Sequence, residues 1–351
     1  MDSAGQYRKL KIAEIRREVP GFCTLVFRNA DGIPYRSGQY LTLVTFRNGE
    51  EVRRSYSIVS SPALHEPLAI GVKRVENGFF SRKLVDESKP GDIVLSSGVG
   101  GFFVLPEKLP PGSTLFFFAA GSGISPVLSL IKTALHSKPG VRVVLVYSNA
   151  SPGKAAYLQI LQALRDDYPA TFQVELLFSN AADLSGARLH RDLMLAFLRQ
   201  YGGLENSNAL FFICGPESYM RMCIYTLREH GVPEAQIRKE NFIIHTVPKR
   251  DAAPPDTSLH SVTIRKGSQE FSIDVQYPDS ILRSAKRAGL VMPYSCEAGR
   301  CGNCVARCTS GTVWHSYNEV LTDRELNEGL VLTCTGHPVG GDVVLEVQEF
   351  T

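Results

Sequence analysis

The chain has 351 residues, of which 44% are hydrophobic and 21% charged, and its formal net charge is +3. This is an ordinary globular composition, long enough for two or three compact domains. No run reaches the roughly 18 apolar residues that a membrane-spanning helix needs, and the first residues lack the apolar centre of a signal peptide. We therefore expect a cytoplasmic protein whose partners include neither a membrane nor a nucleic acid.

Charge is divided unevenly along the chain. Residues 258–351 hold 8 basic and 11 acidic residues, which leaves 30 basic and 24 acidic residues for the rest. A basic body joined to an acidic C-terminal domain suggests two parts that dock, because complementary surfaces aid encounter. Ordinary scatter of surface charge explains the same numbers equally well.

The N-terminal third alternates short β-like segments with turn clusters such as NADG and KPGD. Many short strands with few helical patterns predict a small antiparallel β-barrel, which we place at residues 1–112. A single helix is expected within NGFFSRKLVDES, because Phe80, Leu84 and Val85 fall on one helical face. The predicted strands are LKIAEI, FCTLVF, QYLTLVTF, RRSYSIV, LAIGVKRV and DIVLSS.

Residues 113–245 follow a different pattern, in which apolar strand-like runs alternate with amphipathic helices. This alternation predicts an α/β doubly wound parallel sheet covered on both faces, with a ligand crevice at the carboxyl ends of its strands. The predicted strands are LFFFAA, VRVVLVYS, FQVELLFS and ALFFICG. The predicted helices are VLSLIKTALHS, KAAYLQILQALRDD, RLHRDLMLAFLRQ and ESYMRMCIYTLREHG.

The C-terminal quarter is a separate α+β domain of roughly ferredoxin size. Residues 246–258 carry three prolines and no hydrophobic periodicity, so they are predicted to be a linker. Residues 259–351 follow with two strands, a helix, a cysteine-rich loop and two closing strands. The corresponding segments are HSVTIRK, EFSIDV, ILRSAKRAG, YSCEAGRCGNCVARC, VLTC and DVVLEVQ.

Four cysteines of this last domain follow a metal-binding pattern. Three stand at C-x4-C-x2-C and the fourth comes 30 residues later. This is the spacing of a plant-type 2Fe-2S loop, in which backbone amides of a glycine-rich turn donate to the sulfurs. Gly299 and Gly302 stand where a side chain would block that approach. The candidate ligands are Cys296, Cys301, Cys304 and Cys334.

Zinc and disulfides are the alternatives for these cysteines. Crowding at one end of the chain suits metal binding in a reducing compartment better than a disulfide framework. Structural zinc sites more often use two separated C-x2-C pairs, whereas the fourth cysteine here has no close neighbour. Cys308 could serve as the fourth ligand, but the apolar flanks of Cys334 fit that role better. Cys23, Cys223 and Cys308 are interpreted as small buried side chains.

Two short motifs lie in the predicted barrel. In RRSYS, Arg54 and Tyr56 point to one face of a strand and Ser57 to the other. In VKRVENGFFS, Gly78 and the start of a helix offer amide donors to an anion, with Ser81 as a hydroxyl donor. An ordinary cross-strand aromatic residue would also explain Tyr56.

A third motif, AAGSGISP, follows the first strand of the predicted parallel sheet. Gly121 and Gly123 let the backbone approach a pyrophosphate at a helix N-terminus, and Ser125 can donate to it. Pro126 stands where G-x-G-x-x-G would have its third glycine. Taken alone, this glycine turn also fits tight packing.

The fourth motif is ICGPESYM, in which Cys214 ends an apolar strand and Gly215-Pro216 forces a turn before a helix. The motifs fall in order on a barrel, a first strand-helix turn and a last strand-helix turn. Together they resemble the ferredoxin-NADP reductase family. With SCEAGRCGNC attached C-terminally, the whole chain resembles the one-chain oxygenase reductases, most closely the phenylacetyl-CoA epoxygenase reductase group.

This resemblance implies a β-grasp C-terminal domain and roles for the motif residues. It places Arg54 at a flavin phosphate, Tyr56 on the isoalloxazine ring and Ser57 at flavin N5. Cys214 would lie beside the nicotinamide, so that Tyr56, Ser57 and Cys214 are the residues nearest the reacting rings. The other residues that the resemblance assigns to the cofactors are Lys73, Gly78, Phe79, Phe80, Ser81, Gly121, Gly123, Ser125, Pro126, Gly215, Pro216 and Phe242, with Glu240 completing an acidic-x-aromatic match.

The implied activity is electron transfer from NAD(P)H through a flavin and a 2Fe-2S cluster to a separate oxygenase, hydroxylase or desaturase. FAD is favoured over FMN because GFFS and VGGFFVLP are similar to the FAD-using members, although a related oxygenase-reductase group with the same domain order uses FMN. Relatives that use NADP often place arginine after the second sheet strand, to pair with the 2′-phosphate. This chain has Ala150 and Ser151 there, with Lys154 and Arg188 as substitutes, which leaves the nucleotide open with a slight preference for NADPH.

Two alternative functions remain at this point. The first is a reductase of the same build that serves a hybrid-cluster or nitric-oxide-handling protein. The second is a non-catalytic, zinc-stabilised interaction or sensor protein that keeps a degenerate nucleotide fold.

Overall fold

A computed structural model describes residues 7–28, 30, 32–182, 187–242 and 253–347. The chain divides into two compact units, one formed by Met1–Ser96 with Phe103–Phe242 and the other by Ser97–Phe102 with Ile243–Thr351. Most of the predicted linker, residues 246–252, lies outside the described residues. Among the residues that are described, no helix is long and apolar enough to span a membrane.

The first part of unit 1 is the predicted antiparallel barrel. Its six-stranded sheet has the order β4-β3-β6-β1-β2-β5. An antiparallel bridge between Ile58 and Ile70 brings its two edges together, and the Val59 N–H donates to the Ala69 carbonyl at 2.9 Å. The elements are β1 Arg8–Val19, β2 Phe22–Arg28, β3 Tyr40–Arg47, β4 Glu50–Ser57, β5 Ala69–Lys73, α1 Phe79–Arg82 and β6 Ile93–Gly100, of which residues from Ser97 onward are counted in unit 2. The predicted single helix is α1, which continues as one π-helical turn through Lys83–Glu87.

The second part of unit 1 is the predicted doubly wound sheet. Its five strands are all parallel in the order β11-β10-β7-β8-β9. One face buries Phe117 and Phe212 and the other buries Phe116 and Phe211, so helices cover both sides. The elements are β7 Thr114–Ala120, α2 Ile124–Ser137, β8 Arg142–Asn149, α3 Leu158–Asp167, β9 Phe172–Phe178, α4 Arg191–Gln200, β10 Ala209–Cys214, α5 Glu217–Glu229 and β11 Ile237–Glu240.

The described part of unit 2 is the predicted α+β domain. Its main sheet has the order β13-β12-β18-β14-β16, with β12 and β18 parallel and the other pairs antiparallel. β15 and β17 form a separate two-stranded sheet. The elements are β12 His260–Lys266, β13 Gln269–Val275, α6 Ile281–Arg287, β14 Val305–Ser310, β15 Val313–His315, α7 Asp323–Asn327, β16 Leu330–Leu332, β17 Gly336–Pro338 and β18 Val343–Val347.

His315 gives this unit a pH-dependent stability. Its Nε2 accepts the Leu332 N–H at 2.9 Å, which requires a neutral ring. Burial, and then the neighbouring His337, lower the pKa of His315 to about 4. A lowered folded-state pKa stabilises the fold above the unfolded pKa of about 6.5 and ceases to do so as pH falls towards about 4.

We therefore expect unit 2 to lose up to about 3 kcal/mol of stability between about pH 6.5 and pH 4. Denaturant unfolding of the full chain across this range, followed by circular dichroism, measures the loss. His315→Gln keeps an acceptor for Leu332 without a titrating ring, so its profile should be flatter than that of the wild type. Parallel profiles for the two proteins would contradict the assignment to His315.

Candidate redox site

The four predicted cluster cysteines lie in two pairs in unit 2. The Sγ atoms of Cys304 and Cys334 are 3.2 Å apart, and the Cys296 and Cys301 thiols are hydrogen-bonded to each other. Cys304 is buried and the other three are partly buried. A 2Fe-2S cluster takes four thiolates, two on each iron, so each pair has the number of thiols that one iron takes.

The loop prepares one of these sulfurs to be a thiolate. The Cys301 thiol, with the backbone N–H groups of Arg300 and Ala298, lowers the pKa of Cys296 to about 6. The Ala298 N–H donates to Cys296 Sγ at 3.4 Å, and the Asn303 N–H donates to Cys301 Sγ at 3.5 Å. These are the amide-to-sulfur bonds that the glycine-rich turn was expected to supply. The hydrogen bond between the two thiols raises the pKa of Cys301 well above its usual range, so the thiolate, which is the metal-binding form of cysteine, is favoured only at Cys296 of this pair.

Glycines bring the loop close to its surroundings. A Cβ at Gly299, whose φ is +67°, would lie 2.6 Å from the carbonyl oxygen of Tyr317. A Cβ at Gly302 would lie 2.6 Å from the ring of Phe102, which belongs to the same unit. Real Cβ atoms do not approach other heavy atoms this closely, so a side chain at either position would push the loop away.

Polar atoms beside the cysteines also fit a sulfur-rich group. Asn303 Nδ2, next to Cys304, and Thr335 Oγ1, next to Cys334, are buried without a hydrogen-bond partner among the described residues. Both are donors, and cluster sulfurs accept hydrogen bonds. Within those same residues the two thiol pairs stay separate, since no three His, Cys, Asp or Glu side chains form a single group that could hold a metal ion. The two thiol pairs and the two unsatisfied donors together fit a 2Fe-2S cluster.

Sequence analysis did not identify two residues that shape this loop. The N–H and hydroxyl groups of Thr333 both donate to the Cys304 carbonyl, at 3.1 and 3.0 Å. The Glu319 N–H donates to the Gly299 carbonyl at 3.0 Å. The one local signal for Thr333 was its place beside Cys334, and Glu319 had none, because the fold brings it to the loop from 20 residues away.

In unit 1, the flavin motif occupies the end of β4. Arg54 is exposed and donates to the Arg53 carbonyl at 2.7 Å, while Ser57 is buried on the opposite face. Tyr56 is half-buried, and its ring meets Phe80 edge-on with centroids 6.2 Å apart. Burial raises the pKa of Tyr56 above its usual range, so the phenol is neutral at any physiological pH. An exposed cation and a neutral aromatic ring on one strand fit a phosphate and a planar ring.

The Gly78–Ser81 loop uses its hydroxyl internally. Ser81 Oγ accepts the Val75 N–H at 3.0 Å and donates to the Gly78 carbonyl at 3.3 Å. Ser81 was expected to donate to an anion, but in this arrangement the hydroxyl closes its own loop. Phe79 is exposed, with the Arg47 guanidinium 5.2 Å from its ring centroid. The cationic group beside this loop is therefore Arg47, which the sequence did not single out.

The glycine loop between β7 and α2 approaches both the barrel and β10. Lys73 Nζ, at the end of β5, lies 4.0 Å from the Cβ position of Gly121. At Gly123 a Cβ would lie only 2.1 Å from the Cys214 carbonyl oxygen. The exposed cation Lys73 thus lies beside a backbone turn that begins a helix. This arrangement fits a pyrophosphate, because a cation and a helix N-terminus both favour an anion.

Ser125 and Pro126 lie inside the first turn of α2 and are buried. Ser125 Oγ is 2.7 Å from the Cβ position of Gly71 on β5. Strand β5 therefore approaches α2 as closely as a glycine allows. The serine hydroxyl therefore faces the barrel side of the glycine loop.

Cys214 and Glu240 are register partners at the carboxyl ends of β10 and β11. Burial, and then Glu240, raise the pKa of the Cys214 thiol well above its usual range. Glu240 Oε2 is enclosed and has no hydrogen-bond partner among the described residues, and burial raises the pKa of this carboxyl to about 8. A raised-pKa carboxyl with one enclosed oxygen that lacks a partner among the described residues fits the carboxamide of a nicotinamide, which both donates and accepts.

The remaining predicted residues of this site are less enclosed. Pro216 is exposed at the start of α5, Gly215 is partly buried, and Phe242 is 42% exposed. Lys154 and Arg188, the two cations considered for a 2′-phosphate, are also exposed.

The barrel, the nucleotide-type sheet and the paired thiols define a flavin- and nicotinamide-dependent iron–sulfur protein. Comparison with protein-family models agrees with this assignment. The oxidoreductase FAD-binding domain matches residues 10–104, the oxidoreductase NAD-binding domain matches 117–224, and the 2Fe-2S iron-sulfur cluster binding domain matches 264–339. The chain is an NAD(P)H-dependent oxidoreductase that uses FAD and a 2Fe-2S cluster.

Curated relatives identify the family. The chain is 30% identical to a component of the 1,2-phenylacetyl-CoA epoxidase of Escherichia coli (strain K12), over 97% of each chain. It is equally similar, over 97% of each chain, to the ferredoxin reductase component of 3-ketosteroid-9-alpha-monooxygenase from Mycolicibacterium smegmatis. Phthalate dioxygenase reductase shares the fold, with 22% identity, a TM-score of 0.56 and coverage of 98% of this chain and 99% of that one. The two relatives of 30% identity show that the chain belongs to the family of ferredoxin reductase components.

Proposed function

We propose that this chain is the reductase component of an oxygenase system, which delivers electrons from NAD(P)H to a separate oxygenase, hydroxylase or desaturase. The observation that carries the proposal is the loop of paired thiols on the same chain as the flavin and nicotinamide folds. The names of the relatives, which are components of an epoxidase and a monooxygenase, support it. When bound, FAD supplies the exchange between two-electron and one-electron transfer, and the cluster passes single electrons.

On the flavin side, the proposed roles are binding and orientation. Arg54 and Lys73 would neutralise phosphates, and the exposure of both side chains supports this role. Tyr56 would cover the flavin ring, and Ser57 would offer its hydroxyl or N–H to flavin N5. These residues act by position, because hydride transfer depends chiefly on holding donor and acceptor close and in line.

On the nicotinamide side, Gly121, Gly123 and Ser125 would receive the pyrophosphate. Cys214 would pack beside the ring as a neutral thiol, since its raised pKa leaves little thiolate to react. Glu240 would hold the carboxamide, which would satisfy its enclosed oxygen. Cys296, Cys301, Cys304 and Cys334 are the proposed ligands of the cluster.

The domain boundaries proposed for this function are 1–112, 113–245, a linker at 246–258, and 259–351. We also propose a cytoplasmic location, where NAD(P)H is available. The eight cysteines are all free, which suits a reducing compartment.

The test begins with the full chain purified anaerobically and reconstituted with FAD. We expect flavin and iron–sulfur absorbance, iron and labile sulfide in equal amounts, and bleaching of both chromophores by NADH or NADPH. Titration with each nucleotide in turn identifies the preferred one. The proposal would be refuted if metal analysis found zinc without iron or sulfide, or if the chain showed no flavin absorbance after reconstitution.

The partner is tested separately. The reduced chain is mixed with oxygenase components encoded near its gene, and substrate turnover is measured with and without the chain. Turnover that depends on the chain supports an oxygenase partner. Rapid reduction of a hybrid-cluster or nitric-oxide-handling protein, with no turnover by any oxygenase, would assign the chain to a different electron acceptor.

A further inference from the structure

A largely buried ion pair joins the cluster loop of unit 2 to a more distant residue of the same unit. Arg300 directly precedes the proposed ligand Cys301, and its Nε lies 2.9 Å from Glu319 Oε2. The side chains of Arg300 and Glu319 are only 13% and 19% exposed. Charges so poorly reached by water are weakly screened, so their effect on a neighbouring charged group is large.

Tyr317 completes this pair. Its hydroxyl donates to the same Glu319 oxygen at 2.9 Å, and its ring centroid lies 5.5 Å from the Arg300 guanidinium carbon. The main chain is joined at the same place, because the Glu319 N–H donates to the Gly299 carbonyl at 3.0 Å. These bonds hold Glu319 beside the backbone that carries Cys301, and the Arg300 guanidinium lies against its carboxylate.

We propose that Arg300 and Glu319 are positioning residues that keep the charge beside the 2Fe-2S cluster balanced, so that neither charge by itself shifts the reduction potential of the cluster. Four thiolates make the site anionic, and reduction adds one more negative charge. A neighbouring cation therefore favours the reduced cluster and a neighbouring anion opposes it. With both charges held together, the two effects largely cancel. This inference rests on the proposed function through the assignment of Cys301 as a ligand.

Removing the two charges one at a time should shift the midpoint potential of the cluster in opposite directions, which a purely structural role would not do. Arg300→Gln leaves the carboxylate without its cation and should lower the midpoint potential, whereas Glu319→Gln should raise it. We expect each variant to change the ratio of reduced to oxidised cluster on the order of tenfold, which is about 59 mV for one electron. The double variant Arg300→Gln/Glu319→Gln should return close to the wild-type value.

The measurement is a redox titration of the full chain, followed by the electron paramagnetic resonance signal of the reduced cluster. Lys286 and Glu297 provide a matched pair, because Glu297 follows Cys296 and their ion pair at 3.0 Å is 38% and 48% exposed. Lys286→Gln and Glu297→Gln change the same charges at a more solvated position. Their shifts should be clearly smaller than those of the buried pair.

Three results would overturn the inference: shifts of the same sign in the two single variants, no shift in either, or equal shifts in the exposed control pair. If Arg300→Gln loads no cluster, Arg300→Lys takes its place. That variant keeps the charge, so its potential should stay near the wild type while Glu319→Gln still shifts upward. A wild-type chain without any cluster signal would instead refute the proposed function, which separates the two failures.

Discussion

Cys301→Ser is expected to abolish electron delivery to a protein acceptor while leaving NAD(P)H-driven reduction of a small dye through the flavin largely intact. Its thiol is hydrogen-bonded to Cys296 and accepts the Asn303 N–H, so the substitution removes one proposed ligand and the partner of a second. We expect cluster content to fall at least about 100-fold, because even groups behind metal ligands contribute about 10- to 100-fold to metal affinity. Iron and labile-sulfide analysis measures the loss, and dye reduction reports on the flavin.

Cys308→Ser is the matched control for this substitution. Cys308 lies in β14, where its thiol donates to the Ser310 carbonyl at 3.3 Å. A serine hydroxyl can make the same bond, so cluster content and both activities should match the wild type. Equal cluster loss in the two variants would make Cys308 a ligand. Loss of dye reduction in Cys301→Ser would mean that the cluster is needed for folding rather than for relay.

Local sequence patterns were sufficient for most of the architecture. The barrel strands and the first four parallel strands are long or apolar enough for periodicity to mark them, and the C-x4-C-x2-C spacing marked the cysteine loop. β11 was missed because its sequence, IRKE, is short and mostly polar. Its burial comes from pairing with β10, which no local pattern records.

Contacts between distant segments were the part that sequence could not supply. Glu319 reaches the cluster loop only after the chain has passed through β14 and β15. Arg47 reaches Phe79 from the end of β3, and Lys73 reaches the glycine loop from the end of β5. Each of these residues is an ordinary charged surface residue by composition, so only the three-dimensional arrangement gives it a partner.

Gly123→Ala is expected to disrupt the nucleotide-binding part of unit 1. The φ of Gly123 is −61°, which any residue adopts, so the close approach alone requires glycine here. A Cβ would lie 2.1 Å from the carbonyl oxygen and 2.5 Å from the carbonyl carbon of Cys214. Both are backbone atoms of a buried strand that is paired on both sides, by β7 and β11, and they have no free direction in which to move.

The glycine loop must therefore separate from β10, which we expect to cost about 3 kcal/mol or more. The same separation would displace Cys214 and Gly121 from each other, so NAD(P)H affinity should fall together with stability. The midpoint of thermal unfolding, followed by the fluorescence of released FAD, and a nucleotide-binding titration measure the two effects. A loss on this scale corresponds to a midpoint roughly 6–12 °C lower.

Gly153→Ala provides the control for adding one methyl group to a glycine of the same unit. Gly153 lies in the short Pro152–Lys154 turn, and a Cβ there would have no heavy atom within 4 Å. Its stability should stay within about 0.5 kcal/mol of the wild type. If Gly123→Ala behaves like this control, the loop is not held against β10 in solution. If it loses stability but binds NAD(P)H normally, the contact serves folding alone, and the proposed place of the loop at the pyrophosphate is wrong.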